Sequence, residues 1–244
     1  MNGVVFIFER DRFQRLELIL KEEGLERLKN SSVMVLGLGG VGSSCCEALA
    51  RCGIGNLSII DMDVVEASNI NRQALAFTST IGRSKAQVME EMVKEINPEC
   101  RVESLNVELR ADNLNETLGS FPKPDYVIDC IDTVVTKGAI GAWAKEEELN
   151  IITAMGAANK LDPLLLEFDD IMNTTYCPLS RTMRGIYRKF GVKEMEVIYS
   201  REDPIKIDNP KSSAKKHTLG TMSYMPPIMG QMLAARVICR LAQV

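Results

Sequence analysis

Short apolar runs closed by glycine or acid alternate along this chain with stretches of helical period. Residues 10–30 place Phe13, Leu16, Ile19 and Leu20 on one side of a helix, and Gly24 breaks or bends that pattern. Val33-Met34-Val35-Leu36 reads as a buried strand that ends in Gly37-Leu38-Gly39-Gly40-Val41-Gly42. Residues 43–52 read as a helix stopped by Gly53-Ile54-Gly55, and Leu57-Ser58-Ile59-Ile60-Asp61 is a second strand. A helix is expected over Ser84–Ile96, strands over Arg101–Val107 and Tyr126–Ile131, a helix over Val134–Leu149 and a strand over Ile151–Ala154. Strands alternating with helices predict an α/β fold, a Rossmann-like, doubly wound and mostly parallel sheet covered on both faces.

Beyond Gly156 the rhythm changes. Residues 178–190 are helical and basic, residues 195–200 form a strand, and residues 201–220, with Pro204, Pro210 and several lysines, read as a loop. Met225–Leu241 is an apolar helix opened by Pro226-Pro227. The expected organisation is a single unit over 1–244, built from an N-terminal helical arm (1–30), a nucleotide-binding core (31–160) and a C-terminal α/β extension (161–244) that faces the substrate.

Composition adds limits. The 244 residues are 45% hydrophobic and 25% charged, the balance of an ordinary globular domain. A net charge of −4 does not advertise nucleic-acid binding but leaves room for a local basic patch. No apolar run approaches the roughly 20 residues needed to span a membrane. Glu9, Arg10, Asp11 and Arg12 lack the layout of a secretory signal, so a cytoplasmic protein is expected. Cys45, Cys46, Cys52, Cys100, Cys130, Cys177 and Cys239 include no Cys-x-x-Cys pair, and His217 is the only histidine. That argues against a four-ligand zinc site and for reduced, packed thiols.

The chemistry begins at the glycines. Gly37, Gly39 and Gly42 have G-x-G-x-x-G spacing between a strand and a helix, a phosphate-binding context that does not say which nucleotide binds. Asp61 ends the second strand, where a carboxylate can accept from ribose hydroxyls. A dehydrogenase would show both features. The segment after Asp61 is denser in polar groups: Asn69 and Arg72 lie in Ser68-Asn69-Ile70-Asn71-Arg72-Gln73, and Lys85 comes soon after. Asp129-Cys130-Ile131-Asp132 then closes the Tyr126 strand on the edge where such sheets bind ligands, and a carboxylate there can hold Mg²⁺. Taken singly, each charge reads as part of a solvated face. Together, at strand ends and the loops beyond them, they suit attack on an α-phosphate, whose charge must be neutralised. Hydride transfer has no need of them.

The series Gly37–Ser43, Asp61-Met62-Asp63, Ser68–Gln73, Lys85 and Asp129–Asp132 resembles the ubiquitin-activating-type adenylyltransferase superfamily, ThiF- and MoeB-like enzymes, over residues 12 to about 160. The resemblance implies that Gly37, Gly39, Gly40, Gly42, Asp61 and Asp63 bind ATP. It implies that Asn69, Arg72 and Lys85 contact the phosphates and that Asp132 holds Mg²⁺. Arg15 resembles an arginine that members insert into the neighbouring subunit's site, which implies a homodimer. Arg12-Phe13-Gln14-Arg15 is equally a helix with its charges outward.

The C-terminal third is similar to the branch of tRNA threonylcarbamoyladenosine dehydratases, on Pro178-Leu179-Ser180-Arg181, Phe190-Gly191-Val192 and Gly156-Ala157-Ala158 with Leu161-Asp162-Pro163. That resemblance implies ATP-dependent adenylation of the threonyl carboxylate of a modified adenosine in tRNA, followed by ring closure with loss of water. It also implies a sulfur-transfer protein as a partner. Arg181, Arg184 and Arg188 recur on one helix face with Lys189 and Lys193 beyond, and Lys211, Lys215, Lys216 and His217 form a second cluster. Either group could meet RNA phosphates, and either could be plain solvated surface. Two features depart from the branch: Cys177 stands where an acid is expected, and no cysteine falls in His217–Ser223. Other readings stay open: an enzyme that adenylates the C-terminus of a small sulfur-carrier protein, a non-catalytic nucleotide-binding scaffold, and an NAD-dependent oxidoreductase.

Overall fold

The computed structural model describes residues 2–207 and 219–244, with side chains from residue 12. Lys211, Lys215, Lys216 and His217 lie outside the described residues. The strands are β1 (Ser32–Leu36), β2 (Asn56–Ile60), β3 (Arg101–Leu105), β4 (Tyr126–Asp129), β5 (Asn150–Ala154), β6 (Leu166–Asp170) and β7 (Glu196–Ser200). They form one sheet in the order β3-β2-β1-β4-β5-β7-β6. Every pairing is parallel except the edge pair β6–β7.

Residue pattern explains the layering. In β1 the side chains of Val33, Met34, Val35 and Leu36 are all fully buried, as a strand covered on both faces requires. Val33 and Val35 pack with α2 (Gly40–Arg51), α3 (Lys85–Ile96) and α7 (Met225–Ala242), whereas Met34 and Leu36 meet α4 (Leu114–Gly119) and α5 (Val134–Glu146). Each such burial is worth about 1.5–3 kcal/mol, so β1 is the anchor of the sheet. A third apolar cluster joins α6 (Pro178–Lys189) to Val197 and Tyr199 of β7. No described helix is long and apolar enough to cross a membrane.

The chain runs outward from β1 through β2 to β3, then returns to place β4 on the other side of β1. A crevice opens at the carboxyl ends of β1 and β4, where strand order reverses.

Several expectations shift. The N-terminal helix α1 (Asn2–Asn30) breaks at Lys21, with φ 61 and ψ 173, and not at Gly24. Lys21 Nζ donates to Leu18 O beside the break. Gly24 is instead a packing position: a Cβ there would lie 3.0 Å from Leu20 Cβ and 3.8 Å from Ala242 O. Ile19 faces outward, 75% exposed, while its neighbour Leu20 is buried, so the two do not share one packed face. Helix α2 starts at Gly40, earlier than its apolar pattern suggests, and the strand expected to Val107 ends at Leu105. The acidic strand β6 and the six-residue α4 carry patterns too short to predict.

Candidate active site

A cleft of about 670 Å³ occupies the crevice. It is lined by Gly37, Gly39, Gly40, Asp61, Asp63, Asn69, Arg72, Lys85 and Asp132, so the structure brings together nine of the residues singled out in the sequence. A second cleft of about 660 Å³ lies at the opposite, amino end of β2, between α1 and Gly53, Gly55 and Asn97. Only the first has an uncapped helix N-terminus and strand carboxyl ends, the features that attract phosphate.

The glycine loop is held in shape by contacts within the chain. Gly37 has φ 86, and a Cβ there would meet Cys130 O at 3.0 Å and Ile131 N at 3.1 Å. A Cβ at Gly42 would fall 1.8 Å from Gly37 O, so the loop closes on itself only with glycine at both places. Gly37 N–H donates to Ile60 O at 2.8 Å, and Leu38 N–H donates to Asp61 Oδ2 at 2.5 Å. The buried Ser43 hydroxyl donates to Gly39 O at 2.7 Å and accepts from Ala74 N–H at 3.1 Å, which ties the loop to the Asn69–Gln73 segment. Gly39 is the N-cap of α2, and no side chain caps that end. First-turn N–H groups of a helix lack intrahelical acceptors, so an anion in the cleft meets unpaired donors and a partial positive charge.

Asp61 also accepts from Asp63 N–H at 2.7 Å through Oδ1. Burial pushes its carboxyl above the usual value, against the pull of the Leu38 N–H, the Lys85 charge and the Asp63 N–H. Lys85, the first residue of α3, is almost wholly buried, and its Nζ lies 2.7 Å from Asp63 Oδ2. Arg72 is half-buried and donates to Ser68 O at 3.0 Å and Asn71 Oδ1 at 2.8 Å. Asn69 lines the cleft with its amide held locally: Oδ1 accepts from Glu66 N–H at 3.1 Å and Nδ2 donates to Ser68 Oγ at 3.4 Å.

Asp132 is exposed at the rim, three residues past Asp129. Among the described residues no group of three His, Cys, Asp or Glu side chains could hold a metal, so Asp132 belongs to no such cluster. Asp129 does not face the cleft. It is wholly buried, ion-paired at 2.8 Å with the equally buried Lys137, and accepts from Ile131 N–H at 3.0 Å. Burial pushes the Cys130 thiol at the cleft wall up to about 12, which disfavours the nucleophilic thiolate.

Three further contributors take no individual role from the sequence, although Gln73 closes the Ser68–Gln73 run. Gln73 lines the cleft, and its buried Oε1 has no hydrogen-bond partner among the described residues. Asn159, at φ 57, accepts Gly220 N–H on Oδ1 and Ile205 N–H on its carbonyl, which brings Leu219 and Thr221 to the cleft. Glu202 grips the same loop by accepting the N–H groups of Leu161 and Asp162 at 2.9 Å. The polarity of Asn159 and Glu202 is that of any loop, so nothing in the pattern sets those two apart.

The remaining candidates lie elsewhere. Arg15 is exposed on α1 and does not line this cleft. Arg181, Arg188 and Lys189 are exposed on α6, but Arg184 is only half-exposed and turned to Thr174, with Nη1 2.9 Å from Thr174 O and 2.6 Å from Oγ1. Cys177 is buried as the N-cap of α6, its Sγ accepting from Ser180 N–H.

Comparison with known proteins agrees with this geometry. Over 240 residues, 93% of each chain, the protein is 38% identical to tRNA threonylcarbamoyladenosine dehydratase of Bacillus subtilis. It is 37% identical over 193 residues to the Escherichia coli enzyme of that name, covering 79% of this chain and 71% of that one. The solved structure of Escherichia coli tRNA N6-threonylcarbamoyladenosine dehydratase in complex with ATP superposes with a TM-score of 0.87 at 30% identity, covering 96% of this chain and 95% of that one. The model of the ThiF family matches residues 11–244. The chain belongs to the ThiF family.

Proposed function

We propose that this chain adenylates the threonyl carboxylate of N6-threonylcarbamoyladenosine in tRNA with ATP and then closes the ring with loss of water. The observation that carries the reading is the preshaped glycine loop with Lys85, Arg72 and Asp132 around one cleft, in a chain similar over nearly its whole length to dehydratases of that name.

A carboxylate is a poor electrophile, since its leaving group would be oxide. One carboxylate oxygen attacks the α-phosphorus of ATP, the bond to the β-phosphate oxygen breaks, and pyrophosphate leaves. The acyl carbon now carries AMP as leaving group. The neighbouring carbamoyl group of the same nucleoside attacks that carbon, loses a proton and expels AMP, which takes the original oxygen with it. Reactant and nucleophile share one molecule, so closure benefits from high effective concentration and needs no enzyme nucleophile. The buried Cys177 and the protonated Cys130 accord with that.

The phosphates lie on the α2 N-terminus, with Lys85 and Arg72 neutralising charge as it moves onto pyrophosphate. Asp61 accepts from the ribose. Mg²⁺, when bound, screens the phosphate oxygens; Asp132 would hold it, with the phosphates and water completing an oxygen shell. Arg15 serves the site of a second copy of the chain. In support, Leu18 and Ile19, on the same exposed stretch of α1, are 73% and 75% exposed, an apolar surface suited to a partner. No described residue favours the sulfur-transfer partner, and it forms no part of the proposal.

The test is ATP–pyrophosphate exchange with tRNA that carries the modified adenosine, and separately with a carrier protein ending in Gly-Gly, followed by nucleoside mass analysis. Exchange driven by the tRNA, with a product lighter by one water, is expected. Exchange driven only by the carrier protein would overturn the reading.

A further inference from the structure

Tyr176 sits at the centre of a three-residue turn closed by Cys177 N–H donating to Thr175 O at 2.6 Å, with φ 55 at the tyrosine. That left-handed turn is the rare and strained form, and a bulky side chain is an outlier there. The strain has a visible result: the ring is thrown outward and is 62% exposed, while Tyr187 and Tyr199 in the same layer are buried. The turn is held from both sides. Arg184 binds Thr174 through its carbonyl and hydroxyl, and the Cys177 sulfur caps α6. Strain maintained by this much surrounding structure points to use.

Beside the ring lies a further cleft of about 520 Å³, walled by Thr174, Tyr176, Pro178, Arg181, Asp203 and Pro204. It adjoins the nucleotide cleft across the first turn of α6: Pro178 lines one and Leu179 the other. A Cβ on Gly156, at the nucleotide cleft, would lie 3.7 Å from both Cys177 Sγ and Leu179 Cβ. Arg181 is exposed and joins no ion pair among the described residues. Arg188, seven residues on, shares its helix face.

We propose that Tyr176 and Arg181 form a nucleobase subsite, in which an unpaired base beside the reacting adenosine stacks on the Tyr176 ring and its phosphate meets Arg181. This rests on tRNA being the substrate of the nucleotide cleft. Single-stranded RNA is recognised in this way, by stacking on exposed aromatic rings with cations along the backbone. Asp203 offers an acceptor to a base amino group at the same wall. Because the two clefts share one helical turn, a nucleotide here stays continuous with one whose carboxylate reaches ATP.

The test uses the full chain, tRNA carrying the modified adenosine, and the variants Tyr176→Gly, Tyr176→Trp and Arg181→Ala. Glycine accepts φ 55, so Tyr176→Gly keeps or raises the melting temperature. It is expected to raise KM for tRNA about tenfold, the scale of one lost base stack, with KM for ATP unchanged. Arg181→Ala raises the tRNA KM and flattens its salt dependence. Tyr176→Trp keeps the wild-type KM, and its indole fluorescence is quenched by an unmodified anticodon stem-loop, a binding readout independent of turnover. An unchanged tRNA KM in Tyr176→Gly, or no quenching at saturating RNA, overturns the subsite while wild-type cyclisation leaves the dehydratase reading standing. Wild-type chain inactive on tRNA, or quenching by a carrier protein and not by RNA, overturns both.

Discussion

Lys137 and Asp129 form an ion pair from which water is wholly excluded, with Nζ 2.8 Å from Oδ2. The pair sits directly behind the turn that carries Asp132. Asp129 Oδ1 accepts from Ile131 N–H, and the Cys130–Ile131 peptide in turn rests against Gly37. Buried pairs are weak stabilisers compared with well-packed apolar residues. Its value here is placement: it fixes the direction in which the chain leaves β4. Lys137→Met should destabilise the fold by about 3–5 kcal/mol in urea unfolding, because it strands a buried carboxylate. The double variant Lys137→Met with Asp129→Leu should regain most of that stability yet stay slow in pyrophosphate exchange. Recovery of both together would show that the pair does not aim Asp132.

Lys85 pairs with Asp63, whose side chain is about half exposed. Asp63 stays in water when the lysine is lost, but the buried Lys85 stem goes with it, so removal costs about 0.5–3 kcal/mol. Losing a preplaced cation at the transferring phosphate costs about 10²–10³ in rate. Lys85→Ala is therefore expected to stay folded with a modestly lower melting temperature and to exchange pyrophosphate about 100-fold more slowly, a rate loss that the destabilisation does not explain. Full activity would remove Lys85 from the phosphate site.

The raised Asp61 carboxyl gives ATP binding an acid limb. Ribose hydroxyls donate best to the ionised form. ATP affinity is therefore complete above the folded-state value and is lost as pH falls through it. Since burial raises that value, the loss begins at higher pH than for an exposed aspartate. Calorimetric titration of ATP from pH 7.5 downward checks the direction, and Asp61→Asn should bind weakly with a flat profile over the same range.

Thiol chemistry separates the cysteines. Cys239 is exposed, whereas Cys45, Cys46, Cys100 and Cys177 are buried and burial pushes the Cys130 thiol up to about 12. Iodoacetamide at pH 8 should label Cys239 in the folded chain and leave Cys130 unmodified by mass spectrometry. Cys130→Ala should retain exchange activity. Rapid labelling of Cys130 with loss of activity would bring back a thiol-dependent step.

Arg15 lies on α1, away from the cleft of its own chain. If it completes the site of a second copy, Arg15→Ala and Lys85→Ala are each inactive alone. Mixed and reassembled, they regain activity, because one site of the mixed dimer has both residues intact. Mixing without recovery, in a preparation shown to exchange subunits, would place Arg15 outside the reaction.

The frame was legible because it follows local rules. Val33–Leu36 announces a doubly covered strand, and the spacing of Gly37 and Gly42 announces a loop that closes on itself. Residues whose meaning depends on distant neighbours were not legible. Gly24 looks like a helix breaker until Ala242 is seen packed against it, while Lys21, which breaks the helix, belongs to a residue type common in helices. Asp129 and Asp132 are the same amino acid three positions apart; only the burial of Lys137 separates the structural acid from the one at the rim. Arg184 shares a helical spacing with Arg181 but is drawn to Thr174, a contact that no periodicity encodes.

The bonds that hold the glycine loop have a kinetic consequence. Gly37 is pinned to Ile60, Leu38 to Asp61, and Ser43 to both Gly39 and Ala74, all by groups of the chain itself. The ordering cost of the cradle is thus met during folding, and capture of ATP needs no rearrangement there. In stopped-flow mixing the observed rate should rise linearly with ATP concentration and show no plateau, the signature of one-step encounter with a finished surface.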